Sequence, residues 1–225
     1  MLFGPQAWLA LFHDWRIFAG GLGQTVVASL LGLVLALILG TLLGVLGVTP
    51  VRPLRWVNRV YVEFFQNTPL VTQMFFYYYG LPRLGIVLPV LAVGVIGLGV
   101  YTGAYIAEIV RAGIQSIHRG QLEAAYSQGF TYGQAMRHIV LPQAFRIIMP
   151  PLTNQFVNLI KNSSVLSLIA GYDIMYQADA WSSYNLLYGV AYLTAALLYL
   201  ALTLPTAYLA RRLERRMQST WGAAT

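Results

Sequence analysis

The chain has 225 residues, of which 58% are hydrophobic and 9% charged, with a formal net charge of +7. Soluble domains carry about 25% charged residues, so most of this surface does not face water. The absence of cysteine excludes structural disulfides, thiolate metal sites and a lipid-bearing cysteine.

Residues 17–51, 64–82, 84–107 and 180–210 contain no Asp, Glu, Lys or Arg, and 147–172 contains only Lys161. A bilayer core takes about 20 apolar residues per helix, so these five runs predict five crossings in an all-α integral membrane protein. The N-terminal stretch lacks a basic region ahead of its apolar residues and does not read as a cleaved signal peptide. Its aromatics (Phe3, Trp8, Phe12, Trp15, Phe18), with Asp14 and Arg16, fit either a helix lying in the outer interface or an extension of the first span. Span one covers about 22–48 and holds Gly40-x-x-x-Gly44, a weak close-packing signal. A turn at Thr49–Pro53 leads to span two, about 57–80, which contains Pro69. The run Tyr77-Tyr78-Tyr79 reads as an outer interfacial anchor. Span three covers about 88–112 and a polar loop 113–145. Pro150-Pro151 opens span four, about 147–170. An outer segment with Asp173, Asp179, Trp181 and Tyr184 precedes span five, about 185–210. The whole of 1–225 reads as one membrane domain.

The basic residues sort by topology. Arg52, Arg55, Arg59, Arg111, Arg119, Arg137, Arg146, Arg211, Arg212, Arg215 and Arg216 fall on one side if five spans alternate, against Arg16 and Arg83 on the other. The positive-inside rule then places the N-terminus outside and the C-terminus inside. The same sorting explains the positive charge without nucleic acid.

The polar loop reads as helix, turn, helix on the cytoplasmic face. Glu123, Ala124 and Ala125 favour helix. Gly129 can close that helix in a left-handed turn. Thr131 with Gln134 three residues on is a capping box for a second helix, which Pro142 is expected to break. The spacing Glu-Ala-Ala-x3-Gly-x9-Ile-x-Leu-Pro, carried by Glu123, Ala124, Ala125, Gly129, Ile139, Leu141 and Pro142, resembles the coupling loop of ATP-binding-cassette (ABC) importer permeases. More of the chain is similar to the polar amino acid branch of that family, the histidine/glutamine type: Phe65-Gln66-Asn67-Thr68-Pro69-Leu70, Leu141-Pro142-Gln143-Ala144, Pro150 through Phe156, and Leu159 through Ser164.

The resemblance implies a type I importer in a bacterial-type inner membrane. Its partners would be a second permease (homo- or heterodimer), two cytoplasmic ATP-binding subunits and an extracytoplasmic amino-acid-binding protein. ATP and Mg would belong to the ATPase partners and no cofactor to this chain, which would be a non-catalytic translocation subunit. The residues agree: a phosphate-binding loop needs Gly-x4-Gly-Lys-Ser/Thr, and the only lysine, Lys161, is followed by Asn162. His13, His118 and His138 form no metal motif, and no metal site is expected.

Polar residues inside apolar runs are substrate-path candidates. One group is Gln66, Asn67, Thr68 and Gln73 around Pro69, where a broken helix is expected. The other is Asn154, Gln155, Asn158, Lys161 and Asn162. Asn154, Asn158 and Lys161/Asn162 share a helical face, with Gln155 about 100° away. Lys161 is expected to bind a substrate carboxylate or, the blander reading, to pair with Glu63 or Glu108. Glu108 and Arg111 can also pair with each other. In the family, permeases for cationic amino acids often carry an acidic residue where this chain has Gln155, which implies a neutral or acidic substrate, glutamine or glutamate first. Many relatives have Arg-Gly where this chain has Gln66-Asn67. The alternatives are an importer of another solute (a cationic amino acid, peptide or metal chelate) and an ATP-independent channel.

Overall fold

The structure, a computed structural model, describes residues 3–222; the Arg216 side chain lies outside the described set. Every regular element among the described residues is helical. In chain order these are α1 (Pro5–His13), α2 (Trp15–Leu46), α3 (Arg52–Gln66), α4 (Leu70–Phe75), α5 (Val90–Gln115), α6 (Arg119–Ser127), α7 (Tyr132–Ala135), α8 (Leu141–Asn162), α9 (Ile174–Asn185) and α10 (Tyr188–Gly222). Three stretches have the length and apolarity to cross a membrane as single helices: Trp15–Leu46, Val90–Gln115 and Tyr188–Arg212. The first starts seven residues before the expected 22, because the helix resumes immediately after the Asp14 corner.

The α5 helix is the axis of the bundle. It packs on α2, α3, α4 and α8. Its approach to α2 is set by small residues: a Cβ at Gly40 would lie 2.5 Å from the Ile106 Cβ and 2.8 Å from the Gly103 carbonyl. One at Gly44 would lie 2.7 Å from the Ala107 carbonyl. Two helix backbones meet there with no room for side chains, the arrangement that small-xxx-small spacings permit. Buried Leu98, Ile106, Val110, Ile148, Leu159 and Leu166 form the main core.

A second core lies at the other end, where Ala7 and Leu11 of α1 and Phe18 of α2 pack with Ile174, Ala178 and Trp181 of α9 and Val190, Ala191 and Ala195 of α10. The Trp181 indole donates to the Asp14 carboxylate at 2.8 Å, and the Ile174 amide donates to the Thr25 hydroxyl at 3.1 Å. Of the N-terminal aromatics, Trp8 and Phe12 therefore belong to a separate short helix seated on α9 and α10, while Trp15 and Phe18 open α2. Asp173 caps α9, accepting from the Met175 and Tyr176 amides and from the Tyr199 hydroxyl. Its full burial raises its pKa, against the lowering effect of those three donors.

The break expected around Pro69 is present: span two is two helices, the chain leaving α-geometry over Asn67–Pro69 before α4 begins. The helix then widens into a π-type turn at Phe76–Gly80, which holds the three tyrosines, and tightens over Leu81–Leu84. Pro142 does not end a helix. A π-type turn at Met136–Val140 joins α7 to α8, and Pro142 sits in the first turn of the new α-register, where a missing N–H costs least. For the same reason Pro150-Pro151 lies inside α8 rather than at its start. Helix is thus continuous from Tyr132 to Asn162.

The α2–α5 contact yields a test. Gly40→Leu would force a side chain into Ile106 and the Gly103 backbone. Overpacking of this kind costs about 1–3 kcal/mol or more. The expected outcome is a clearly lowered unfolding temperature or loss of a monodisperse peak in detergent, read by size-exclusion chromatography after heating.

Candidate functional site

The second group of polar residues lines a recess of about 360 Å³ between α5 and α8. The α8 helix contributes Gln155, Asn158, Lys161 and Asn162, and α5 contributes Tyr101 and Tyr105. Spacings of three and four residues bring Gln155, Asn158 and Asn162 onto one stripe. The expected stripe began at Asn154; that side chain is exposed and does not line the recess. The tyrosines are an i,i+4 pair on α5 with hydroxyl oxygens 3.1 Å apart and rings 5.2 Å apart. Their polar tips had no signature in the sequence, where they sit in an uncharged run among glycines and alanines.

Lys161 does not pair with either expected carboxylate. Glu63 accepts from Arg59 at 2.7 Å, and Glu108 accepts from the Arg111 Nε at 3.0 Å. Both acids are engaged within their own helices, at i,i+4 and i,i+3 spacing. Lys161 makes no ion pair among the described residues and is exposed in the single chain. The recess therefore presents one ammonium, three side-chain amides and two phenols, with no carboxylate among its lining residues. That set matches a small solute bearing a carboxylate.

The first polar group is placed differently. The Asn67 amide donates to the Glu63 carbonyl at 2.7 Å, and the Thr68 hydroxyl to the Phe64 carbonyl at 2.6 Å. Gln73 is buried and donates to the Phe65 and Thr68 carbonyls, both at 3.1 Å. Gln66 donates to the Ala104 carbonyl of α5 at 3.1 Å. The Phe64, Phe65 and Thr68 carbonyls are ones that the broken helix leaves without amide partners, whereas the Glu63 carbonyl also accepts from the Asn67 amide and Ala104 lies inside α5. None of the four lines the recess, although Gln66 lines a second cavity toward Glu108.

The loop of 116–140 forms a compact elbow. The His118 imidazole accepts from the Gly120 amide at 3.1 Å and caps α6, a role not expected from sequence. Glu123 and Ala124 are exposed on α6, and Ala125 is buried. Gly129 has φ +82°, the left-handed conformation expected of it. The Gly129 amide donates to the Tyr126 carbonyl at 2.9 Å and the Phe130 amide to the Ala125 carbonyl at 3.1 Å, the two bonds of a Schellman closure. Thr131 and Gln134 form the expected capping box. Ala135 and Val140 are buried beneath the elbow, while Leu141 and Pro142 remain exposed. The Glu123 carboxylate, on the outer face of the elbow, has no hydrogen bond or ion pair among the described residues.

Comparison with known proteins places this geometry. Residues 32–219 match the family described as "binding-protein-dependent transport system inner membrane component". A probable glutamine ABC transporter permease protein of Bacillus subtilis (strain 168) is 46% identical over 211 residues, 94% of this chain and 98% of that protein. A glutamate/aspartate import permease protein of Escherichia coli (strain K12) is 35% identical over 208 residues, covering 82% of this chain and 83% of that one. Among solved structures, an amino acid ABC transporter with histidines superposes with a TM-score of 0.86 at 34% identity, over 92% of this chain and 97% of that one. The chain belongs to the family of inner membrane components of binding-protein-dependent transport systems, and it has the helical fold of an ABC importer permease.

Gln73 separates backbone support from substrate contact. Gln73→Leu removes two buried hydrogen bonds and leaves two carbonyls without partners, at about 1–3 kcal/mol for each group left unsatisfied. The expected result is a lower unfolding temperature with unchanged relative uptake of competing amino acids in the surviving protein.

Proposed function

We propose that this permease forms, with a second permease subunit, the membrane passage of an ATP-driven importer for polar amino acids, glutamine or glutamate first. The observation that carries this reading is the unpaired Lys161 ammonium beside Gln155 and Asn158, facing Tyr101 and Tyr105. An amino acid's carboxylate would pair with Lys161, and its ammonium would sit over the phenol rings. Gln155 supplies amide hydrogen bonds but no charge to match a guanidinium, which disfavours arginine. The names of the Bacillus and Escherichia relatives support the same substrate class.

The proposed topology has five crossings, with α3 and α4 together forming the second and α8 the fourth. The N-terminus lies outside and the C-terminus inside. The elbow with Glu123, Ala124, Ala125, Gly129, Leu141 and Pro142 then faces the cytoplasm, docked on an ATP-binding subunit that holds ATP and Mg and carries out hydrolysis. An extracytoplasmic binding protein delivers the solute. Closure of the two ATPase subunits draws the elbows together, opens the recess outward and admits the solute; hydrolysis resets it inward.

Two variants test the reading in proteoliposomes holding the complete importer. Lys161→Met removes one charge-assisted hydrogen bond, about 1.5–3 kcal/mol, so uptake at subsaturating glutamine or glutamate is expected to fall about 10- to 100-fold. ATPase stimulation by the loaded binding protein should persist. Wild-type uptake by this variant, or a wild-type preference for arginine, overturns the substrate assignment. Gly129→Asp adds a charge to an exposed position with open space around it; the φ of +82° strains any side chain, but Asp is among the residues that tolerate the left-handed region best, so insertion should persist. Transport is expected to be lost while the ATPase turns over uncoupled; intact coupling would remove Gly129 from the docking surface.

A further inference from the structure

A larger cavity, about 670 Å³, opens between α3 and α5 below the recess, on the side proposed above to be cytoplasmic. Its charged lining is Arg55, Arg59, Glu63, Glu108 and Arg111, three guanidinium groups against two carboxylates. Asn58, also in the lining, is 3% exposed, and its amide Nδ2 has no hydrogen-bond partner among the described residues. A buried amide donor without an acceptor is costly, which leaves an acceptor from outside the chain as its natural partner. The ion pairs are local to one helix each, and the Arg59 and Glu63 side chains are 75% and 60% exposed, so water and solutes reach them.

The two hollows share one helix face. Tyr101, Tyr105 and Glu108 follow at intervals of four and three residues, so they lie in line along α5. From Tyr105 to Glu108 is about one turn, roughly 5 Å of rise. A solute leaving the recess along this face meets the Glu108–Arg111 pair next.

We propose that this cavity is a second station for the transported amino acid, one that engages the zwitterionic head group on its way to the cytoplasm. The inference rests on the recess reading and on the inward placement given above. The carboxylate is taken by Arg111, Arg59 and the free Asn58 amide, and the ammonium by Glu108 and Glu63. The volume is generous for one amino acid, so the solute keeps part of its water and is held weakly, as release requires. Because every charge that grips the head group already has a partner within its own helix, the site relaxes to a paired state once the solute departs.

The test counts sites. The purified complex in nanodiscs, without nucleotide, is titrated with radiolabelled glutamine and, separately, glutamate, by equilibrium dialysis. Wild type should show two classes of site per permease chain. Lys161→Met should abolish the tighter class only. Glu108→Gln with Arg111→Met should abolish the weaker class only. Arg59→Gln, at an exposed position, should weaken that class about 10-fold, the loss of one charge-assisted bond. A single wild-type class that Lys161→Met abolishes overturns the second station and leaves the recess reading intact. Persistence of both classes in the Glu108/Arg111 variant also overturns it. Absence of any binding by wild type overturns the recess reading and this inference together.

Discussion

The seating of α2 against α5 governs the rest of the structure. In lipid there is little hydrophobic drive between helices, so contact must come from close packing. Gly40 and Gly44 allow the backbones to approach until their neighbours are Ile106, Ala107 and Val110. One side of α5 is thereby sealed, and α3, α4 and α8 take positions around the remainder. What is left of α5 is a narrow strip bearing Tyr101, Tyr105, Glu108 and Arg111, and both hollows form along it. The site is a by-product of how fully the other faces of that helix are used.

A second constraint divides the polar residues of the apolar runs into two kinds. Every backbone group within a membrane needs a partner. Where the chain breaks at Asn67–Pro69, side chains of Thr68 and Gln73 supply donors to the Phe64, Phe65 and Thr68 carbonyls, which lack amides. The stretch of α8 that carries Gln155, Asn158 and Lys161 is regular helix, and these side chains are not drawn into comparable service. Polar groups without a backbone to serve are the ones free to meet a solute. Amino acid composition alone does not separate the two kinds; the continuity of the helix they sit on does.

Local chemistry was readable in the sequence to the extent that it is local. The Gly129 closure and the Thr131–Gln134 box involve residues within six positions, and both form as their types predict. Span three and the Glu108–Arg111 pair were legible for the same reason. Reading failed where the outcome depends on a turn of different pitch. Pro142 looks like a terminator until the Met136–Val140 turn resets the register ahead of it, and nothing in those five residues announces such a turn. Pro69 signals the break itself, while the Gln66 bond to the Ala104 carbonyl of α5 beside it is a long-range contact with no local signature. For Lys161 the sequence leaves a substrate carboxylate and pairing with Glu63 or Glu108 both open, and the pairing fails because arginines one turn from each acid have the shorter reach. Tyr101 and Tyr105 carry no signal in the sequence, because a phenol in an apolar run has the same letter whether it faces lipid or a polar hollow.

The adjacent prolines within α8 have a mechanical consequence. Two successive residues without N–H groups leave the helix with two missing rungs at Pro150 and Pro151, and bending stiffness is lowest there. On one side of this weak point the helix runs back to the elbow; on the other it runs on to Lys161. The distal arm from Pro150 to Lys161 is about 16 Å long, so a swing of about 10° about the prolines carries the ammonium roughly 3 Å. A displacement of that size is the difference between a made and a broken hydrogen bond, and it requires no change in any rotamer.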